Sequence, residues 1–240
     1  MTKQTALKVF DKLARRAVRQ WQPLLQRRWP DSSYNLLDAA FLRAAFESAE
    51  YYQTHMRTAA AFATDLDLLA GALSWADRNG AVLEFGVGEG RSLRHIAQQW
   101  EGPVHGFDSF EGLPEDWRTN YPKGTFSGPP PSDLPANVSL HVGSFTETLG
   151  PFAATLTDPV SLLHVDCDLY SSTACVFSHM AAHIKPGCIV VFDEYLNYPR
   201  WQDDEHRAFK EFIAQSGLGY QYLGFVPSHQ QVCVHMQSKS

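Results

Sequence analysis

The sequence contains only four cysteines in 240 residues, and no two of them form a Cys-x-x-Cys pair. Cys167, Cys175, Cys188 and Cys233 also lack the spacing of a disulfide framework. The number and spacing of these cysteines favour reduced thiols over the disulfide bonds of a small secreted domain. We therefore expect a cytoplasmic protein.

Long hydrophobic runs are missing as well. No apolar stretch approaches the roughly 18 residues that a membrane-spanning helix needs, so no transmembrane segment is predicted. With 44% hydrophobic and 19% charged residues, the composition is that of a globular protein. The length suits one large domain, or one domain with an appendage.

Acidic residues are scarce only near the N-terminus. Residues 1–28 hold eight of the twenty Lys and Arg and a single acid, Asp11. Apolar residues recur at helical spacing over residues 5–22, which predicts an amphipathic helix that ends before Pro23. This helix could pack on its own domain or on a second subunit, lie on a membrane surface, or be a cleavable targeting segment. We expect a homo-oligomer, with the N-terminal helices as candidate contacts, and no nucleic-acid partner.

A glycine-rich motif carries the strongest signal. Residues 84–92 read EFGVGEGRS, after an apolar run at 81–83 and before an expected helix start at 93–97. This strand, turn and helix order brings bare backbone close to a ligand. A dinucleotide site has the spacing G-x-G-x-x-G, but position 91 is Arg, and an acid precedes the first glycine by two positions. The spacing favours S-adenosylmethionine (SAM) over NAD, with a purely structural turn as the remaining alternative. The predicted SAM contacts in this motif are Glu84, Gly86, Gly88, Gly90 and Ser92.

Strand and helix patterns then alternate, which indicates a parallel α/β sheet covered on both faces. Strands are predicted at 104–108, 138–142, 161–166 and 188–193, and helices at 171–184 and 204–215. Strands at 220–226 and 231–235 form an antiparallel hairpin. The pattern predicts a seven-stranded, Rossmann-like class I methyltransferase sheet with a terminal hairpin, preceded by N-terminal helices that include two or three segments over 35–77. We divide the chain into a helical segment, 1–78, and a SAM-binding domain, 79–240.

Polar residues follow the expected strands, where ligands of such sheets bind. Asp108 is predicted to bind the ribose hydroxyls, with a turn or cap role as its alternative, and Ser109 follows it. Ser144 and Phe145 are candidates for the adenine. Met56, between two expected helices, either packs in the core or lines the cofactor pocket.

Three carboxylates should converge at the ends of two of these strands: Asp166, Asp193 and Glu194. Such a cluster would repel itself unless protonated or neutralised, and an all-oxygen ligand set suits Mg²⁺ or another hard divalent cation. The alternative is that Asp166 holds SAM or caps a helix, while the other two bond to loop backbone. Asp168 is predicted to lie behind the ligands or to cap the following helix.

The chain resembles the macrocin-type O-methyltransferases, which methylate sugar hydroxyls of macrolides and related products. The resemblance covers about residues 80–200, through EFGVGEGRS, GFDSFEGLP, FTETL, HVDCDLYSST and VVFDEY. It implies SAM-dependent methyl transfer to oxygen, aided by Mg²⁺ at Asp166 and Asp193. Members often carry Asp-Asp where this chain has Asp193-Glu194.

The predicted reaction is in-line displacement at the sulfonium methyl, with the protein positioning a small-molecule acceptor. Asp166 is predicted to act in catalysis by binding the metal. Asp168, His55 and His206 are candidate bases. Metal-dependent catechol methyltransferases have a lysine where this chain has Leu169.

Residues 109–137 form a long proline-rich segment that is predicted to be a substrate lid, with residues 195–206 as the facing wall. Trp117, Tyr121 and Phe126 give the lid aromatic surface. Four alternatives stay open: N- or C-methylation, a SAM or decarboxylated-SAM protein without methyl transfer, an NAD-dependent oxidoreductase, and a membrane- or partner-docking protein that acts through its basic N-terminal helix.

Overall fold

The computed structural model describes residues 35–239. The helix predicted at residues 5–22 therefore lies outside the described residues. Within the described part, no helix has both the length and the apolar character to cross a bilayer.

Helices and strands alternate along most of the described chain. The helices are α1 (Leu36–Tyr51), α2 (Asp65–Trp75), α3 (Arg91–Gln99), α4 (Phe145–Thr155), α5 (Tyr170–Met180) and α6 (Glu205–Ser216), with a π-helical turn at Tyr52–Met56 and a 3-10 turn at Trp201–Asp203. The strands are β1 (Ala60–Ala61), β2 (Ala81–Phe85), β3 (Val104–Asp108), β4 (Val138–Val142), β5 (Val160–Val165), β6 (Ile189–Phe192), β7 (Leu218–Phe225) and β8 (Val232–Ser238).

The strands form one sheet in the order β1-β7-β8-β6-β5-β2-β3-β4. Strand β8 runs antiparallel to β6 and β7, and all the other pairs are parallel. The predicted class I methyltransferase fold with its terminal hairpin is thus confirmed. The chain moves from β2 outward through β3 to β4, then returns to β5 on the other side of β2. This reversal opens a crevice at the carboxyl ends of β2 and β5, where such sheets bind ligands.

Two elements were not predicted. The two-residue strand β1 pairs with β7 as an eighth strand, inside a segment expected to be helical. It is too short to show a period of two in the sequence. Helix α4 contains Gly150 and Pro151, which weaken its helical pattern, but the Ser144 backbone N–H and hydroxyl both donate to Glu147 at its start.

The central strands are buried on both faces. One face carries Leu83, Phe85 and Val165 in one core cluster, and the other carries Val82 and Leu162 in a second cluster against α2 and α3. Near-continuous apolar strands are typical of parallel sheets covered on both sides. Two ionisable side chains interrupt this pattern, Glu84 on β2 and His164 on β5, and they are direct neighbours across the two strands.

Candidate active site

The glycine turn after β2 needs its first glycine for steric reasons. Gly86 has φ +92°, and a Cβ there would lie 1.7 Å from the Asp166 carbonyl oxygen. Gly88 has φ +51°, yet a Cβ there would meet nothing within 4 Å. Gly90, with φ +78°, is the N-cap of α3. The turn therefore packs tightly against the end of β5 at Gly86 and is open at Gly88.

Asp108, at the end of β3, holds the turn in place. Its Oδ2 accepts the backbone N–H groups of Val87 at 2.8 Å and Gly88 at 2.9 Å, and its Oδ1 accepts that of Phe110 at 2.7 Å. The turn role considered for Asp108 is thus present in the structure. A carboxylate offers about four acceptor positions, so the predicted ribose contact remains compatible with these bonds and stays a prediction.

Glu84 lies beneath the turn and is fully buried. Its Oε1 accepts the Ser92 hydroxyl at 3.1 Å, and its Oε2 lies 3.0 Å from Nδ1 of His164. Burial disfavours the imidazolium, but the hydrogen bond and charge of Glu84 outweigh it and raise the pKa of His164. Glu84, Ser92 and Gly90 line no part of the cavity described next, so their predicted contact with SAM stays a prediction.

A cavity of about 570 Å³ opens in the crevice between β2 and β5. Its volume is in the range of small-molecule sites. The wall brings together most of the predicted cofactor and metal residues. These are Gly86, Gly88, Asp108, Ser109, Ser144, Phe145, Asp166, Asp168, Asp193 and Glu194.

Acidic side chains crowd one end of the cavity. Asp166 and Asp193 follow the neighbouring strands β5 and β6, and each offers an oxygen within 4.8 Å of the other and of a ring nitrogen of His164. Glu194 is 9% exposed, and its buried Oε2 has no hydrogen-bond partner. Sequence reasoning missed Glu205, which is fully buried and accepts the Glu194 backbone N–H at 3.0 Å. Nothing in its surface-like helix start, Asp-Asp-Glu, signals such burial.

The crowding strongly disfavours ionisation. Burial, and then the charge of Asp193, raise the pKa of Asp166 and of Glu194 well above their usual range. Among residues 35–239, no Lys or Arg forms an ion pair with Asp166, Asp193 or Glu194. These residues therefore fit a divalent cation, which would relieve their repulsion and bond the unpartnered Glu194 oxygen.

Asp168 lies beside this cluster on the cavity wall. Its backbone has φ +62°, an unusual conformation for a residue with a side chain, which is found more often at functional sites. Burial and the charge of Asp193 raise its pKa to about 7, against the opposing charge of Arg118.

The segment 109–137 has no regular secondary structure, but it is hydrogen-bonded to the rest of the domain. Leu113, Pro114 and Phe126 line the cavity. The Trp117 indole donates to Asp204 at 3.0 Å, which joins the segment to the predicted facing wall at residues 195–206.

Arg118, within the same segment, was missed from the sequence. Its guanidinium lies 3.8 Å from the centre of the Trp117 ring and 5.1 Å from that of Tyr198. Its buried Nε and Nη1 have no hydrogen-bond partner. An Arg beside Trp and Tyr suits cation–π contact, and that adjacency was the available signal.

Three further predicted residues lie away from the cavity. Met56 is fully buried in the core, which is the packing alternative considered for it. His55 is exposed and contacts the Tyr51 ring. His206 lies 3.3 Å from the Tyr51 hydroxyl, and burial, with Lys210 as the next cause, lowers its pKa to about 4. Of the candidate bases, only Asp168 lines the cavity.

Comparison with known proteins agrees with this geometry. Residues 83–195 match the family model described as a methyltransferase domain. The matched residues include the glycine turn, Asp108, Asp166 and Asp193.

Solved structures with the same fold include the calicheamicin methyltransferase CalS11, with a TM-score of 0.57, 21% identity, and coverage of 91% of this chain and 90% of that one. The O-methyltransferase NovP gives a TM-score of 0.56 and 19% identity, with coverage of 72% and 79%. At these sequence identities, the similarity shows only that the proteins share a fold. No curated protein sequence gives a significant match to the chain.

Proposed function

We propose that the protein is a SAM-dependent O-methyltransferase that methylates a hydroxyl of a small natural-product or sugar-like molecule with the aid of a divalent cation. One observation carries the proposal. A single cavity is lined at one end by the glycine turn and Asp108, and at the other by Asp166, Asp193 and Glu194. The proposed nucleoside site and the proposed cation site would thus share one chamber, as methyl transfer to a chelated hydroxyl requires.

The end of the cavity formed by the glycine turn and Asp108, here called the cofactor end, would recognise SAM. Gly88 leaves backbone open to the ligand, and Asp108 offers remaining acceptor positions to the ribose hydroxyls. Phe145 presents an aromatic ring at the cavity wall, beside Ser144, for the adenine. The sulfonium methyl would then lie toward the acidic end.

The transfer itself needs an acceptor oxygen in line with the methyl carbon. That oxygen attacks, the carbon–sulfur bond breaks, S-adenosylhomocysteine leaves, and the acceptor proton must go to a base. Asp168 is the proposed base, because among the three candidate bases it alone lines the cavity.

Asp166, Asp193 and Glu194 would hold the cation. When bound, it supplies charge that lowers the pKa of a coordinated hydroxyl and orients it. Of the three aromatic side chains predicted for segment 109–137, Phe126 lines the cavity and would contact a ring-bearing acceptor, whereas Trp117 and Tyr121 do not line it. The names of the two similar structures, an O-methyltransferase and a calicheamicin methyltransferase, support this substrate class for a chain of the same fold.

Calorimetry and a transfer assay test the proposal. The protein should bind SAM and S-adenosylhomocysteine more tightly than NAD. It should then transfer labelled methyl from SAM to hydroxyls in a panel of nucleotide sugars, glycosides and catechols, and a chelator should stop transfer. Absence of SAM binding contradicts the whole proposal, whereas transfer that survives the chelator contradicts only the cation.

We also propose that the protein forms a homo-oligomer through its N-terminal segment. Leu36 is 81% exposed at the start of α1, and Leu37 and Phe41 lie half exposed on the following turns. An apolar surface of this kind is typical of a contact region. Light scattering should give a multiple of the chain mass for the full protein and a lower mass for residues 35–240; a monomeric full-length chain would contradict the proposal.

A further inference from the structure

A buried histidine lies directly behind the two aspartates of the acidic cluster. His164 lies on β5, Asp166 follows the end of that strand, and Asp193 follows the neighbouring strand β6. Ligand atoms of these three residues lie within 4.8 Å of one another. Three donors this close can converge on one ion with only small side-chain movements.

The hydrogen-bond partner of His164 leaves one ring nitrogen available for a metal. Nδ1 is 3.0 Å from Oε2 of Glu84 and donates its N–H to that carboxylate, so Nε2 is the nitrogen left to bind a cation, which would displace any proton held there. Metal-bound histidines almost always make this second bond to a carboxylate or a carbonyl. His164 is 2% exposed and Glu84 fully buried, so the ring is held rigidly.

We propose that His164 is a ligand of the cation, together with Asp166 and Asp193, and that Glu84 is the positioning residue that orients it. The inference rests on the proposed metal-assisted function and revises its ligand set. Glu194, which lines the cavity and has a buried Oε2 without a hydrogen-bond partner, would complete the set, although its oxygens lie outside the group within 4.8 Å. The site thus has one nitrogen and several carboxylate oxygens.

The nitrogen changes which metals the site prefers. Imidazole binds Mn²⁺, Fe²⁺ and Co²⁺ in preference to Mg²⁺ and Ca²⁺, which take oxygen ligands. We therefore assign the site to a first-row divalent ion, with Mn²⁺ bound more tightly than Mg²⁺.

The same contacts connect the metal to the cofactor turn. Glu84 precedes Gly86 by two residues and also accepts the Ser92 hydroxyl at the start of α3. Its two oxygens therefore join the helix behind the glycine turn to the metal ligand. This placement gives the acid of the motif a function without direct contact to SAM.

Pulsed electron paramagnetic resonance of bound Mn²⁺ tests the assignment directly. Untagged protein without SAM, in a nitrogen-free buffer, is loaded with substoichiometric Mn²⁺, and echo modulation from a coordinated ¹⁴N is recorded. The spectrum is repeated on protein with ¹⁵N-labelled histidine, in which the ¹⁴N modulation should disappear. The isotope needs no substitution, so it does not depend on a variant folding. Asp166→Asn should abolish Mn²⁺ binding and so place the ion in this cluster.

Substitutions then identify the histidine and its partner. His164→Gln should lose the nitrogen modulation and reduce the ratio of Mn²⁺ to Mg²⁺ affinity about tenfold or more, whereas Glu84→Gln should keep the modulation and weaken Mn²⁺ binding by about 10- to 100-fold. His141→Gln is the matched control, since His141 is partly buried on β4 and pairs with His105 instead. It should leave both readings unchanged.

The outcomes separate this inference from the proposed function. Mn²⁺ bound in the cluster without nitrogen modulation would overturn the assignment of His164 and leave an all-oxygen metal site. Absence of Mn²⁺ binding would overturn both the assignment and the cation in the proposed function. Nitrogen modulation that disappears in His164→Gln supports the assignment, even if the transfer assay finds no methylated product.

Discussion

The two ends of the cavity differ in how their polar groups are satisfied. At the cofactor end, Asp108 accepts three backbone N–H groups and Glu84 bonds Ser92 and His164. The opposite end, formed by Asp166, Asp193 and Glu194, is called the acceptor end. There, an oxygen of Glu194 has no hydrogen-bond partner, and burial and repulsion hold the pKa of Asp166 well above its usual range. The protein itself satisfies the polar groups at the cofactor end, whereas the carboxylates at the acceptor end lack a compensating positive charge.

This difference has a physical consequence. A site whose hydrogen bonds are already made is preorganised, so ligand binding there costs little rearrangement. Unpaired buried carboxylates cost stability until a partner binds. The cofactor end should therefore be sensitive to any change of shape, and the acceptor end to changes of charge.

The largest expected effect is at Gly86. Gly86→Ala places a Cβ on the Asp166 carbonyl and forces a left-handed φ on a residue with a side chain, so we expect more than about 100-fold weaker SAM binding and a loss of several kcal/mol in the free energy of unfolding. Gly88→Ala is the control for unfolding, because its Cβ meets no protein atom; it should cost only about 1 kcal/mol in the free energy of unfolding. Calorimetry measures SAM binding by Gly86→Ala, denaturant unfolding compares the two variants, and equal losses of stability would contradict the packing argument.

The next effect is the pH dependence of stability at His206, which lies outside the cavity. Its folded pKa of about 4 lies below the unfolded value of 6.5, because burial disfavours the charged ring. The unfolded chain thus binds the proton more readily, and this stability is present above pH 6.5 and lost as the pH falls toward 4. The difference corresponds to about 3 kcal/mol.

Unfolding of His206→Gln should show the effect as a difference from the parent. The variant should lose about 3 kcal/mol less than the parent between pH 7 and pH 4. His229→Gln, at an exposed turn, should follow the parent curve. Parallel curves for His206→Gln and the parent would show that His206 is not held neutral by burial.

Asp108→Asn should have a smaller effect, confined to the cofactor end. The amide keeps one acceptor oxygen but presents an NH₂ group toward backbone N–H donors, so we expect SAM affinity to fall about 30-fold, or about 2 kcal/mol. Asp116→Asn is the control, since Asp116 also accepts a backbone N–H, that of Lys123, but is exposed in segment 109–137. Calorimetry should show unchanged SAM affinity in Asp116→Asn. An equal loss of SAM affinity in the two variants would mean that the loss in Asp108→Asn does not come from its bonds to the glycine turn.

The sequence was sufficient for most of the fold and for most of the polar residues that surround the cavity, because both depend on local patterns. Strand runs, the glycine spacing and the polar strand ends are each visible in a few consecutive residues. The side-chain partners were not predictable in the same way. That Glu84 faces His164 depends on the pairing of β2 with β5 across 80 residues, and the burial of Glu205 depends on how α6 packs. Arg118 has Trp117 beside it in the sequence, but its contact with Tyr198 depends on how two distant segments pack.

The smallest expected effect is a gain of stability at the acceptor end. Asp193 is the largest source of charge acting on Asp166 and Glu194, and its Oδ1 accepts Gln231 at 3.0 Å, a bond that asparagine can keep. Asp193→Asn should therefore stabilise the metal-free protein by about 1 kcal/mol at pH 8, while it abolishes the stabilisation that Mn²⁺ or Mg²⁺ gives the parent. Thermal unfolding with and without metal measures both changes, and Asp203→Asn, at an exposed pair with Arg200, should show neither. A metal-free Asp193→Asn protein less stable than the parent would mean that the carboxylates are neutralised from within the fold, and the contrast between the two ends of the cavity would not hold.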